Sequence, residues 1–155
     1  MDVAILHSVD LFRDLNAEQM RAVAAVGVER PYDAGQVIFR EGDTGDEIFV
    51  VCWGSVRISK IIPGMGEEAM AVLEPGASVG EMMLVERHAP IRSADAIAHT
   101  SCILGAIPRE KFHSLLDERS DISAHVYRNL ASTLAVRLRE TNERFRALFA
   151  MSARW

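Results

Sequence analysis

Glu47-Ile48-Phe49-Val50-Val51-Cys52-Trp53-Gly54-Ser55-Val56-Arg57-Ile58-Ser59-Lys60-Ile61-Ile62 is the stretch from which the architecture follows. Between Ile48 and Trp53 it is apolar on both faces, so a strand here must be covered on both sides and lie centrally. Beyond Gly54 the pattern changes: Val56, Ile58 and Ile61 interleave with Arg57, Ser59 and Lys60, as in a strand with one wet face. Outward in both directions, Gly35, Gly42, Gly45, Gly64, Gly66, Gly76 and Gly80 separate further short runs of β-branched and apolar residues. From Gly27 to Pro108 this is the pattern of an all-β sandwich or roll. The predicted strands are Val28 to Tyr32, Gln36 to Arg40, Glu47 to Trp53, Ser55 to Ile62, Glu68 to Leu73, Ser93 to Ala98 and Ser101 to Ile107. Gly42-Asp43-Thr44-Gly45-Asp46 and Pro63-Gly64-Met65-Gly66 carry turn chemistry.

Helical patterns flank this region. From Asp2 to Val26 the residues Val3, Leu6, Val9, Leu11, Phe12, Leu15, Met20, Val23 and Ala24 recur at mostly helical spacing, which predicts two short helices. Asn16-Ala17-Glu18-Gln19 reads as a capped start, with Gln19 three residues after the cap. After Pro108, Arg109 to Asp117 reads as a short helix, and Ser120 or Asp121 as the cap of a much longer one reaching at least Phe149. Along it Ala131, Leu134, Leu138, Thr141, Phe145 and Leu148 step by threes and fours, a coiled-coil seam. Arg137, Arg139, Glu140, Glu143, Arg144 and Arg146 clothe its other faces. A helix of about thirty residues is long for so small a domain, so part of it is expected to pack on a second subunit. The alternative is a helix folded entirely back on its own roll. The chain reads as α+β and as one domain over residues 1–155: helices in 1–26, the roll in 27–108 and helices in 109–155.

With 155 residues, 49% hydrophobic and 25% charged, the chain can bury one good core. A net charge of −5 and a pI near 5.5 oppose a nucleic-acid surface, which needs concentrated cations to displace counterions. No apolar run approaches the roughly 18 residues of a membrane span, and the N-terminus lacks the features of a signal peptide. A soluble, cytoplasmic protein with no membrane partner is expected. Cys52 and Cys102 each sit inside an apolar run and read as buried hydrophobes in a reducing compartment. His7, His88, His99, His113 and His125 are scattered without metal-binding spacing.

The chemistry concentrates in Val79-Gly80-Glu81-Met82-Met83-Leu84-Val85, followed by Ala89-Pro90-Ile91-Arg92-Ser93-Ala94. A glycine and an acid open a short apolar turn, and a guanidinium and a hydroxyl then arrive together. Free backbone N–H groups, a cation, a hydroxyl and one carboxylate suit an anionic sugar phosphate. Arg92 can meet a phosphate with two parallel charge-assisted bonds, a geometry that lysine does not reproduce. The Ser93 hydroxyl and the amides from Gly80 to Leu84 can complete the anion's acceptors. Ionised Glu81 only accepts, so it suits a sugar hydroxyl and repels a phosphate. Val79, Leu84 and Ala94 read as packing residues. Each site residue also has a purely structural role open to it: Gly80 in a turn, Glu81 as a helix cap, and Arg92 with Glu81 as an ion pair.

Several segments together resemble a known family. Leu11-Phe12-x-x-Leu15 is similar to its lead-in helix, and Tyr32-Asp33-Ala34-Gly35-Gln36-Val37-Ile38-Phe39-Arg40-Glu41-Gly42-Asp43 to its first strands and tight turn. Phe49-Val50-Val51-x-x-Gly54-Ser55-Val56-Arg57 resembles its central hairpin. Leu73-Glu74-Pro75-Gly76, then Val79-Gly80-Glu81-Met82, then Arg92-Ser93-Ala94 resemble its phosphate-binding cassette, here 79–94. In this order and spacing they resemble the cyclic-nucleotide-binding domain of catabolite activator proteins, protein-kinase regulatory subunits and gated channels, over nearly the whole chain. Two departures stand out. Glu86-Arg87-His88-Ala89-Pro90-Ile91 is longer than usual by one or two residues, which puts Arg87 or His88 near the ligand or in a solvent bulge. Val79 stands where an aromatic is common.

The resemblance implies an antiparallel β-roll of the double-stranded jelly-roll kind, with Gly80, Glu81, Met82, Arg92, Ser93 and Ala94 around a cyclic nucleotide. It assigns Arg92 and Ser93 to the phosphate and Glu81 to the ribose 2′-hydroxyl. Arg137-Leu138-x-x-Thr141-Asn142-Glu143 is similar to the segment of catabolite activators whose adjacent polar residues meet adenine, one from each subunit. Thr141 and Asn142 are therefore candidate base contacts, although a threonine on an apolar seam can also satisfy itself on the helix backbone or set register. The implied function is a non-enzymatic sensor of cyclic AMP or cyclic GMP, needing no cofactor or metal. Its ligand would move the terminal helix and so change a homodimer or expose a surface to a protein partner. The alternative is a nucleotide-independent dimerisation module with a degenerate cassette. A metal enzyme on a cupin-like roll ranks last, since it needs a histidine–carboxylate cluster that the strands lack. No DNA-reading helix-turn-helix follows the long helix, so a complete chain would act through protein partners, whereas a cut one would continue into an output domain after Trp155.

Overall fold

The structure, a computed structural model, describes residues 1–86 and 91–152, without the side chains of residues 148, 151 and 152. The lead-in forms three helical pieces where two were expected: α1 (Val3–Leu6), a 3-10 turn (Asp10–Phe12) and α2 (Ala17–Val26). Adjacent Leu11 and Phe12 must both reach the core, which a tight turn allows and one face of an α-helix does not. Asn16 caps α2 as the spacing predicts. Its side-chain oxygen accepts the N–H groups of Glu18 and Gln19, each at 3.0 Å, and Gln19 accepts the Asn16 N–H at 2.8 Å.

Among the described residues eight strands follow: β1 (Val28–Tyr32), β2 (Val37–Phe39), β3 (Glu47–Trp53), β4 (Val56–Ile62), β5 (Gly66–Leu73), β6 (Ser78–Val79), β7 (Asp95–Ala98) and β8 (Cys102–Pro108). They make two antiparallel four-stranded sheets, ordered β1-β8-β3-β6 and β2-β7-β4-β5, stacked as a jelly roll. β3 and β4 do not form the hairpin suggested by resemblance, since β3 pairs with β8 and β6 whereas β4 pairs with β5 and β7. Gly54 marks where the chain leaves one sheet for the other. Its φ of +75° and its contact with the Ser101 carbonyl exclude a side chain there. Two-residue β6 is too short to show a period. Ser93 and Ala94 precede β7 instead of belonging to it.

The two-faced apolarity of β3 has a direct cause. Phe49 and Val51 point into the roll with Phe39, Val56, Ala96, Ala98, Cys102, Leu104 and Ala106. Ile48 and Val50 point the other way, into a second apolar cluster with Phe12, Met20, Met83, Leu84, Phe112, Ile122, Val126 and Leu130. Phe12 meets Phe112 edge-on, with ring centroids 6.0 Å apart. Cys52 and Cys102 are buried, unbridged thiols whose pKa values burial pushes up.

After β8 come α3 (Arg109–Glu118) and α4 (Ser120–Ser152). Ser120 begins α4 and does not cap it, because the Arg119 carbonyl accepts the N–H groups of Ile122 and Ser123 at 3.1 and 2.9 Å. Arg119 fastens this elbow to α2, forking onto Glu18 at 2.9 and 2.8 Å and onto Asp121 at 2.9 and 2.8 Å. Ile122, Val126 and Leu130 bury the first part of α4 at four-residue steps. Beyond them Val136, Leu138 and Phe145 are exposed at 44%, 62% and 60%. Among the described residues no helix is long and apolar enough to cross a membrane.

Candidate functional site

A cavity of about 410 Å³ opens between the β4–β5 hairpin, the turn after β6 and the middle of α4. Its size suits a small ligand. Arg92 lies at its base, only 8% exposed. Its Nη2 donates to the Glu47 carbonyl at 2.7 Å, and its Cζ sits 4.2 Å from the Phe39 ring centroid and 5.7 Å from that of Phe49. Two glycines make room for it. A Cβ on Gly45 would come within 2.6 Å of Arg92 Nε, and one on Gly80 would collide with Nη1. Among the described residues no carboxylate forms an ion pair with this guanidinium. Burial pushes its pKa down, against the opposing pull of Asp46, Glu47 and Asp43. A buried cation without a paired anion is costly, so an incoming anion is favoured here.

Gly80 takes φ +85°, the left-handed turn that starts the 3-10 helix Glu81–Leu84. Such a start leaves its first N–H groups without partners inside the helix. Glu81 follows, 2% exposed. Its Oε1 accepts from Arg137 Nη1 of α4, whereas its Oε2 is buried and has no hydrogen-bond partner among the described residues. The ion pair between Glu81 and Arg92 considered from sequence is therefore replaced by one to α4. A buried, unpartnered carboxylate oxygen is an acceptor awaiting an O–H or N–H donor.

The structure brings Gly80, Glu81, Met82, Arg92, Ser93, Ala94 and Thr141 to the wall of this one cavity. Ser93 is exposed at the mouth and Ala94 buried. Thr141 donates its hydroxyl to the Arg137 carbonyl at 2.8 Å, the self-satisfied arrangement available to a seam threonine. Asn142 is exposed and lies outside the lining. Arg87 and His88 fall outside the described residues. Sequence reasoning missed Phe39, Gly45, the Arg137–Glu81 pair, and Glu140 and Arg144 on the α4 wall. Two of these left a sequence trace: Gly45 in a turn-like run, and Arg137 at the head of the base-contact segment. Among the described residues no group of three or more His, Cys, Asp or Glu side chains could hold a metal ion.

Residues 29–119 match the family described as "Cyclic nucleotide-binding domain". The chain belongs to that family. It is 36% identical over 132 residues to the cyclic AMP receptor protein of Thermus thermophilus, a match over 85% of this chain and 58% of that protein. The catabolite activator protein of the same organism superposes with a TM-score of 0.79 at 34% identity, over 90% of this chain and 62% of that one. A cyclic nucleotide-binding domain from Methylobacillus flagellatus also gives 0.79, at 26% identity over 92% and 79% of the two chains. The chain thus spans little more than half the length of the curated relative it matches.

Proposed function

We propose that this domain is a cyclic-nucleotide sensor whose phosphate sits on Arg92 and whose ribose 2′-hydroxyl donates to Glu81 Oε2. One observation carries the reading: an unpaired buried guanidinium and an unpartnered buried carboxylate oxygen face the same cavity. A phosphate needs the cation and a sugar hydroxyl the acceptor, and a cyclic nucleotide carries both. The Ser93 hydroxyl and the turn amides after Gly80 complete the phosphate's acceptors. The base then lies between Ile58, Met70 and Leu73 on one side and Thr141 on the other. No catalysis is needed, and the setting is the cytoplasm, where cyclic AMP and cyclic GMP are available. Calorimetric titration with both nucleotides tests this: saturable binding of at least one is expected, and no binding of either refutes it.

The second half of α4 supports a homodimer. Leu134, Leu138, Thr141 and Phe145 form its seam, and Leu138 and Phe145 are largely exposed in one chain. Asn142, beside that seam, would face the partner's nucleotide, and nucleotide binding would shift the geometry of the paired helices toward a protein partner. Leu138→Glu should turn the dimer into a monomer in sedimentation experiments without abolishing folding. The competing reading, a ligand-free assembly module, draws on Arg137 already occupying Glu81 and on the engaged Thr141 hydroxyl. It predicts a dimer with no titration heat.

A further inference from the structure

We propose that Arg109 is the positioning residue that ties the anion-binding turn to the terminal helices, so that charge arriving at Arg92 resets the angle of α3. This rests on the cavity being the nucleotide site. Arg109 is the first residue of α3. Its backbone N–H donates to the Asp46 carbonyl at 2.7 Å, and its Nη2 donates to the Glu86 carbonyl at 2.9 Å. One residue on from Asp46, the Glu47 carbonyl holds Arg92 Nη2 at 2.7 Å. The Glu86 N–H in turn bonds the Met82 carbonyl at 3.2 Å, and the turn runs back through Gly80 to its close contact with Arg92.

The contacts form a closed circuit: Arg92 to Glu47, Asp46 to Arg109, Arg109 to Glu86, and the turn back to Arg92. Arg109 does not line the cavity, so it acts only through the main chain that it holds. Met83 and Leu84 of the turn already share a core with Phe112 and Leu116 of α3. Apolar packing is non-directional and tolerates sliding. The directed bonds of Arg109 fix how turn and helix move together. An anion settling on Arg92 and the turn amides moves the turn, and the Glu86 carbonyl passes that movement through Arg109 Nη2 to α3, whose first N–H stays anchored on the Asp46 carbonyl. α3 then carries the motion through the Arg119 elbow into α4, which supplies Arg137 and Thr141 to the cavity wall.

Arg109→Met removes the side-chain donor to the Glu86 carbonyl, leaves the backbone bond to Asp46 and keeps an apolar stem, and Arg109→Lys restores a charged donor toward that carbonyl. Each variant is titrated with cyclic AMP and cyclic GMP, and amide hydrogen exchange is followed with and without nucleotide. Without nucleotide, Arg109→Met should speed exchange in residues 81–86 and in the first turn of α3 together, by about tenfold. With nucleotide, its affinity should stay within about threefold of the unmodified protein, while the nucleotide-dependent change over α3 and α4 is lost. Arg109→Lys should recover most of that change. An unaltered nucleotide response in Arg109→Met overturns the proposal, as does equal loss of affinity and response with no recovery in Arg109→Lys. Should Arg109→Met fail to fold, the unmodified protein decides: nucleotide-dependent exchange changing together in residues 81–86 and the first turn of α3 supports the tie, and a change confined to residues 81–86 overturns it. If the unmodified protein binds neither nucleotide, the binding reading fails, and the ligand-free exchange comparison still judges the tie.

Discussion

Replacing Arg92 with methionine should separate affinity from stability. In the folded chain Arg92 contributes one charge-assisted hydrogen bond to the Glu47 carbonyl, worth about 1.5–3 kcal/mol. Its position over Phe39 adds about 0.5–2 kcal/mol. Opposing both is the desolvation of a guanidinium that is only 8% exposed, a cost of several kcal/mol per ion. These contributions nearly cancel, and methionine keeps apolar contact with Phe39 and Phe49. A net loss of about 1–2 kcal/mol, or roughly 2–8 °C in Tm, is expected for the unliganded protein. Nucleotide binding has no such cancellation, because the phosphate loses its buried partner. A penalty of about 2–5 kcal/mol corresponds to roughly 30- to several-thousand-fold weaker binding. Thermal melts without ligand and calorimetric titration with cyclic AMP and cyclic GMP read the two quantities separately. Affinity within about threefold of the unmodified protein would refute the phosphate role. A collapse of Tm far beyond this range would instead make Arg92 a structural keystone.

Gly80→Ala should lower the unfolding free energy by about 1–3 kcal/mol in urea titrations, since φ +85° strains an L-residue and its Cβ strikes Arg92 Nη1. Glu81→Gln should weaken nucleotide binding about tenfold. It should also erase most of the preference for a ribonucleotide over its 2′-deoxy analogue, and an undiminished preference in the titration would take the ribose away from Glu81. The elbow carries a pH signature. Hydrogen bonds from Arg119 hold the carboxyls of Glu18 and Asp121 below their ordinary values. Groups depressed on folding contribute stability above the unfolded carboxylate range and lose it as pH falls through the folded values. The Tm difference between the unmodified protein and Arg119→Met should therefore be full at neutral pH and shrink below about pH 4. Because the two carboxylates are exposed, the difference should be modest and should fall further in high salt.

Local patterns carried most of the element order. The capping box at Asn16 and Gln19, the doubly apolar run from Ile48 and the helical pattern beyond Leu130 are all set by neighbours within a few residues. Where the sequence reading failed, the deciding partner was distant. The supposed hairpin across Gly54 is two strands in different sheets, a choice made by β8 and β5, not by the turn. Gly45 looked like one more turn glycine, and its clearance for Arg92 concerns a side chain almost fifty residues away in sequence.

The sequence by itself determined which residues could serve an anionic sugar ligand, because charge, hydrogen-bonding capacity and a glycine's backbone freedom are properties of the residues themselves. Only the tertiary structure decided their pairing. Glu81 could have neutralised Arg92, but the fold turns its Oε1 to Arg137 on α4 and leaves Oε2 unpartnered. The physical reason is that α4 packs through Ile122, Val126 and Leu130 onto the same core as Met83 and Leu84, which brings the Arg137 guanidinium to the carboxylate, while the Glu47 carbonyl holds Arg92.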